Sequence, residues 1–249
     1  VMSRNPQSTF PRSVVRGYIR QPAEERLHDL LWELARYRRQ EVAASATRVE
    51  FVRAEVVALG NRVYLSDPPS TPEDFLAARE RLFRHGLLEQ IGFPFAPPGL
   101  GRSRDLAIRM LTDRAAWLRG QSSTEVRYTP GEVTALSELQ AFVRGVMSRM
   151  TIVVEANPSS NLLIADFGTL DEHPAFRLQP LGSKPPRGGP AVLVAISDDD
   201  PLTFATCTPD EFAYTYFALL RQGVTSQDAL LWLARVRDNA WRSRFTLVG

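Results

Sequence analysis

Leu27, Leu30, Leu31 and Leu34 recur at helical spacing, which predicts an amphipathic helix over 22–42. The following RVEFVRAEVVALGNRVYLSD, residues 48–67, is rich in β-branched side chains and carries Gly60-Asn61, so two strands joined by a tight turn are expected. Thr71-Pro72-Glu73-Asp74 has the form of a helix start, with a capping hydroxyl, proline at the first helical position and acids behind it. That helix is expected to reach Gly86. Residues 91–101, IGFPFAPPGLG, read as a Pro/Gly/aromatic loop, and a helix over 104–119 should stop at Gly120.

Beyond this point the pattern becomes regular. A short strand is expected at 126–128. Leu136, Leu139, Phe142, Val143, Val146 and Met147 mark a helix. TIVVE (151–155) and AVLVAI (191–196) are compact apolar strands, with the loop SKPPRGGP (183–190) before the second. Helices over 212–220 and 227–242 close the chain, the second capped by Thr225 and Asp228. Short apolar strands alternating with helices indicate an α/β fold with βα units and a parallel sheet. Residues 1–22 are polar and basic and read as a loosely ordered entry.

Composition narrows the function classes. The chain has 249 residues, 44% hydrophobic and 23% charged, which is ordinary for a globular protein. With 30 basic and 28 acidic residues the net charge is +2, so there is no strong nucleic-acid signal. No apolar run approaches the about 18 residues of a membrane span, and VMSRNPQSTFPRS has no apolar signal-peptide core. Cys207 stands alone, so no intrachain disulfide can form and a reducing, cytoplasmic setting is expected. The histidines are His28, His85 and His173.

Sites in α/β folds gather at the carboxyl ends of strands. EANPSSN, Glu155 to Asn161, follows the first apolar strand, and SDDDP, Ser197 to Pro201, follows the second. Three consecutive carboxylates beside a dry core are costly unless something pairs with them. A turn with an acidic helix cap is one answer. A hard cation or a basic heterocycle held at the strand end is the other.

Taken together, the two motifs resemble the adenosine deaminase family. That family carries C-P-[ST]-S-N after its seventh barrel strand, then H-P, then T-D-D-P-x-x-F after its eighth. The corresponding residues here are Asn157-Pro158-Ser159-Ser160-Asn161, His173-Pro174, and Asp198-Asp199-Asp200-Pro201-Leu202-Thr203-Phe204. Asp210-Glu211-Phe212 is similar to the family's E-Y helix start. Asn239-Ala240 with Ser243 and Phe245 is similar to its terminal N-A-x-x-S-F. The likeness spans residues 130–247.

The resemblance implies a (β/α)8 TIM-type barrel, of which 121–249 would supply the last βα units and 1–120 a mostly helical, insertion-like elaboration with a β-hairpin. It implies zinc-assisted hydrolytic deamination of an adenine nucleoside or nucleotide. Asp199 would be the metal ligand, and Asp200 the catalytic, substrate-binding carboxylate. Asp198 stands at the family's Thr position. Asn157, Pro158, Ser160, Asn161, His173 and Pro174 would be structural. Large relatives of this kind act in bacterial antiviral defence as homo-oligomers, which makes a homo-oligomer the expected assembly.

The family also uses H-x-H, H-A-G-E and a further His after the sixth strand, and none of these motifs is present. A barrel takes about 250 residues, and only 150 precede the two apolar strands. Two expectations follow. Either the chain is the C-terminal portion of a zinc deaminase whose His ligands and remaining barrel lie on other sequence, or it is an inactive deaminase-like binding or assembly module. In both cases this chain alone should be a poor zinc binder and a poor enzyme.

Overall fold

In a computed structural model, residues 18–82, 102–164, 168–181 and 189–243 are described. The expected helix end at Gly86, the loop at 91–101, His85, most of the 183–190 loop, Phe245 and the first 17 residues lie outside them. The fold is mixed α/β and mostly helical, in two compact units, Gly17–Ala135 and Leu136–Gly249.

The first unit is a helical cluster with a small antiparallel sheet. Strand β1 (Tyr18–Pro22) leads into helix α1 (Ala23–Arg38), followed by α2 (Ala46–Tyr64), α3 (Pro72–Leu82), α4 (Arg102–Thr112), α5 (Arg114–Gly120) and β2 (Ser123–Arg127). The two strands pair from Tyr18↔Arg127 to Pro22↔Ser123. The leucine stripe of α1 is fully buried, as its spacing predicts. At the start of α3, Asp74 N–H donates to the Thr71 hydroxyl at 3.2 Å and the Asp74 carboxylate accepts from the Thr71 amide at 2.9 Å, a complete capping box.

Two expectations fail here. Residues 48–67 are not a hairpin: 46–64 form the single helix α2, N-capped by Ser45, whose hydroxyl accepts from Arg48 N–H at 3.1 Å. Val52, Val56, Leu59 and Val63 repeat at helical spacing and are buried, so tertiary packing overrides the β-propensity of the valines. Gly60 is no turn residue. It lets the Phe75 ring lie against the helix, where an added Cβ would stand 2.4 Å from the Phe75 Cζ. Asn61 likewise serves a tertiary contact, its amide nitrogen donating to Val57 O at 3.0 Å and Ser70 O at 3.1 Å. The helix expected over 104–119 is broken at Asp113, whose carboxylate accepts from the amides of Ala115 (2.9 Å) and Ala116 (3.0 Å) and starts α5 anew.

Helix α6 (Pro130–Arg149) begins in the first unit and continues into the second. There it is followed by β3 (Val153–Ala156), α7 (Pro158–Ile164), a 3-10 turn (Leu170–Glu172), α8 (Ala175–Leu178), β4 (Leu193–Ile196), α9 (Pro201–Phe204), α10 (Thr208–Arg221) and α11 (Ser226–Arg242). Strands β3 and β4 pair in parallel, Val153↔Leu193 through Ala156↔Ile196. Ala156, Val194 and Ile196 are buried, while Leu193 on the same sheet is 39% exposed. Trp232 of α11 is fully buried, its indole N–H donating to Gln179 O at 2.6 Å. Asn239 ties the same helix to β4, its amide donating to Val194 O and to Gln179 Oε1, both at 2.9 Å. The expected Thr225–Asp228 cap forms, with Asp228 N–H donating to the Thr225 hydroxyl at 3.1 Å. Among the described residues there are two two-stranded sheets and no closed barrel.

Candidate functional site

Both polar motifs open at the carboxyl ends of β3 and β4. Asn157 leaves β3, and Pro158 takes the first position of α7, where its missing N–H has no consequence. The Asn157 carboxamide, oriented with its nitrogen toward the strands, donates to Ala156 O at 3.3 Å and Ser197 O at 3.2 Å. Ser197 N–H donates to Ala156 O at 3.1 Å. One asparagine thus bridges the ends of both strands.

Asn161, one turn on, accepts from Asn157 N–H at 3.2 Å and lies 3.0 Å from His173 Nε2. His173 Nδ1 accepts from Ala175 N–H at 3.1 Å, which leaves the ring proton on Nε2, donated to Asn161. Burial, reinforced by the Arg177 guanidinium, pushes His173 down to about 4. It is a neutral, fully engaged imidazole. Pro174 begins the turn into α8. Asn157, Asn161 and His173 are thus joined by hydrogen bonds at the end of β3.

The acidic triplet fans out to three different elements. The Asp198 carboxylate, half-buried, accepts from the Thr208 hydroxyl of α10 at 2.8 Å. Asp199, exposed, accepts from the Ser160 hydroxyl of α7 at 3.0 Å through Oδ2, and from Asp200 N–H at 3.0 Å through Oδ1. Asp200, also exposed, caps α9, accepting from Leu202 N–H at 3.0 Å and the Thr203 hydroxyl at 2.5 Å. The Thr203 hydroxyl, helped by the Leu202 amide, holds the Asp200 carboxyl below the usual carboxylate range. Each negative charge therefore has its own donors, which limits the repulsion of neighbours. The helix-cap reading holds for Asp200. For Asp199, the accepted bonds leave further lone pairs on an exposed carboxylate.

The sequence places Glu211 at a helix start but does not show its part in the site. Its side chain is fully buried and accepts from Ser159 N–H (2.9 Å), the Ser159 hydroxyl and the Thr206 hydroxyl (2.6 Å). The signal was present, because Glu211, Thr215, Ala218 and Leu219 fall on one helical stripe and all are buried. A carboxylate on a core-facing stripe needs internal donors.

A cavity of about 180 Å³ lies beside this constellation, lined by Val154, Ala156, Asn161, His173, Leu178 and Val194 among others. Its walls are apolar, and neither Asp199 nor Asp200 lines it. His28 sits half-buried in α1 of the first unit, held below the ordinary imidazole range by burial and then by Arg79. The exposed Cys207 thiol donates to the Asp210 carboxylate at 3.1 Å. Among the described residues, no three His, Cys, Asp or Glu side chains converge to hold a metal ion, and no helix is long and apolar enough to cross a membrane.

No protein-family model matches this chain, and no curated protein matches it.

Proposed function

We propose that the second unit is the closing portion of an adenosine-deaminase-like barrel acting on an adenine nucleoside or nucleotide. The observation that carries this reading is the convergence of the NPSSN and DDDP segments at the carboxyl ends of adjacent parallel strands, joined by the Ser160–Asp199 hydrogen bond. The order and spacing of the two motifs support it, with Asn157 standing where the family has Cys and Asp198 where it has Thr. The parallel pairing agrees with it too, since parallel strands are normally buried within larger sheets.

Zinc does not fit the donor set described. A catalytic zinc takes three or more protein ligands, and Asp199 offers a single carboxylate, with His173 already engaged on both ring nitrogens. In this reading Asp199 contributes one ligand, and the imidazoles come from sequence outside the described residues. When bound, such an ion would lower the pKa of its water to about 7 and supply the nucleophile. This chain's own contribution is to hold two adjacent carboxylates apart: Asp199 leaning on α7, Asp200 anchored over α9 with its remaining lone pairs toward solvent. In this reading Asp200 orients the purine.

A second reading is favoured by the same contacts. Every carboxylate of the triplet already has a donor, so the segment also suits an inactive module that keeps the fold for binding or assembly. Deamination of adenosine and AMP by the full-length protein containing this chain, followed by ammonia release, separates the two. Turnover with added zinc supports the enzyme, and purine binding without turnover supports the module.

A further inference from the structure

Glu211 and Thr208 sit one turn apart at the start of α10, and each reaches one of the two polar motifs. Glu211 takes the Ser159 amide and hydroxyl, and Thr208 donates to Asp198. Ser160, the next residue of α7, donates to Asp199, the next residue of the β4 tail. The contacts close a ring: Glu211 to Ser159, Ser160 to Asp199, Asp198 to Thr208. At its centre is a carboxylate with no solvent exposure, and Ser160 itself is 1% exposed. An apolar residue at 211 could pack α10 equally well, and buried charge is not a general stabiliser. What the carboxylate adds is direction. Its bonds to a fixed amide and a hydroxyl set the first turn of α7.

We propose that Glu211 is a positioning residue for the candidate site, fixing Ser159 and through it Ser160, so that the Asp199 carboxylate keeps one orientation with its remaining lone pairs open. The proposal rests on the reading of Asp199 as the functional carboxylate, but its test reads no turnover, so the two can fail separately. An inactive protein would leave the result below untouched.

The test is carboxyl-carbon NMR on the chain with labelled aspartate, the Asp199 signal being assigned by its loss in Asp199→Asn. Ser160→Ala defines the signal of an Asp199 carboxylate released from α7. Glu211→Gln sets an amide against the Ser159 N–H and should move the Asp199 signal toward that same position. The double variant should add nothing beyond Ser160→Ala. Asp171 is the control, because it pairs with Arg221 at the far end of α10, 2.5 Å away, and would move only if α10 loosened as a whole. An Asp199 signal unmoved in Glu211→Gln, or shifts in Asp199 and Asp171 of equal size, overturns the proposal. If Glu211→Gln does not fold, Ser159→Ala removes one donor and keeps the amide. A smaller shift of the Asp199 signal in the same direction is then expected, and no shift overturns the proposal.

Discussion

Ser160 and Asp199, 39 residues apart in sequence, meet through a 3.0 Å hydrogen bond from hydroxyl to carboxylate. With that contact the segments following β3 and β4 form one polar surface rather than two separate turns. The bond is single and Asp199 is exposed, so its net worth is modest. Ser160→Ala should lower unfolding free energy by about 1 kcal/mol in denaturant titration. A loss several times larger would mean that Ser160 supports more than Asp199.

His173 makes stability depend on pH in a stated direction. Its folded pKa, about 4, lies below the unfolded value of 6.5. The unfolded chain therefore binds the proton first, and stability rises with pH across this window. The contribution is fully present above about pH 6.5 and is lost as pH falls toward 4, up to roughly 3 kcal/mol. His173→Gln should flatten unfolding free energy between pH 6.5 and 4 relative to the wild type. An unchanged slope would show that His173 is not the group responsible.

Glu132 anchors the start of α6 between Arg26, at 2.9 Å, and Arg48, whose guanidinium also grips Glu33 at 2.7 Å. Burial alone would raise the Glu132 carboxyl, but the bonds from Arg48 and Arg26 prevail and hold it below the usual range. Stability from this group is thus present above the unfolded pKa of 4.5 and lost as pH falls through the folded one. Glu132→Ala leaves two buried guanidiniums short of a partner and should cost about 3–5 kcal/mol in thermal or denaturant unfolding. A cost below about 1 kcal/mol would mean that the cluster is solvated.

Gly60 tests the correction at α2. Gly60→Ala would gain helix propensity of up to about 1 kcal/mol at an open site, but the Phe75 ring occupies the space. A net loss of about 1–3 kcal/mol is expected. Phe75→Leu in the same chain should recover part of it. Additive losses in the double variant would count against the contact.

Much of the candidate site was legible because its signals are local. Apolar runs of strand length mark β3 and β4, and the polar residues that follow them necessarily stand at the strand ends. The leucines of α1 and the capping pairs Thr71–Asp74 and Thr225–Asp228 also act within one or two turns. In α2 the valines favour a strand locally, and only the burial of Val52, Val56, Leu59 and Val63 on one face decides for the helix. Long-range polar partners were illegible in principle. Nothing near Glu132 announces Arg26, 106 residues away, and nothing near Glu211 announces Ser159, 52 residues away. Hydrophobic period shows that such a carboxylate is buried, but not which donors meet it.

Zinc content bears on how much of the site this chain contains. After dialysis the chain by itself should hold well under one zinc per molecule, since its described residues offer carboxylates without clustered imidazoles. Stoichiometric, chelator-sensitive zinc would reveal ligands beyond those described.

The central claim is the division of labour between Asp199 and Asp200. The most direct measurement is absorbance loss on adenosine deamination, with zinc content, for the full-length protein and its Asp198→Ala, Asp199→Ala and Asp200→Ala variants. The account predicts that Asp199→Ala loses both zinc and turnover. Asp200→Ala should keep zinc and lose turnover, and Asp198→Ala, whose carboxylate faces Thr208, should keep both. An Asp199→Ala protein that retains zinc and turnover, or a wild-type protein with neither, would contradict the account and leave the triplet as a set of caps and ties.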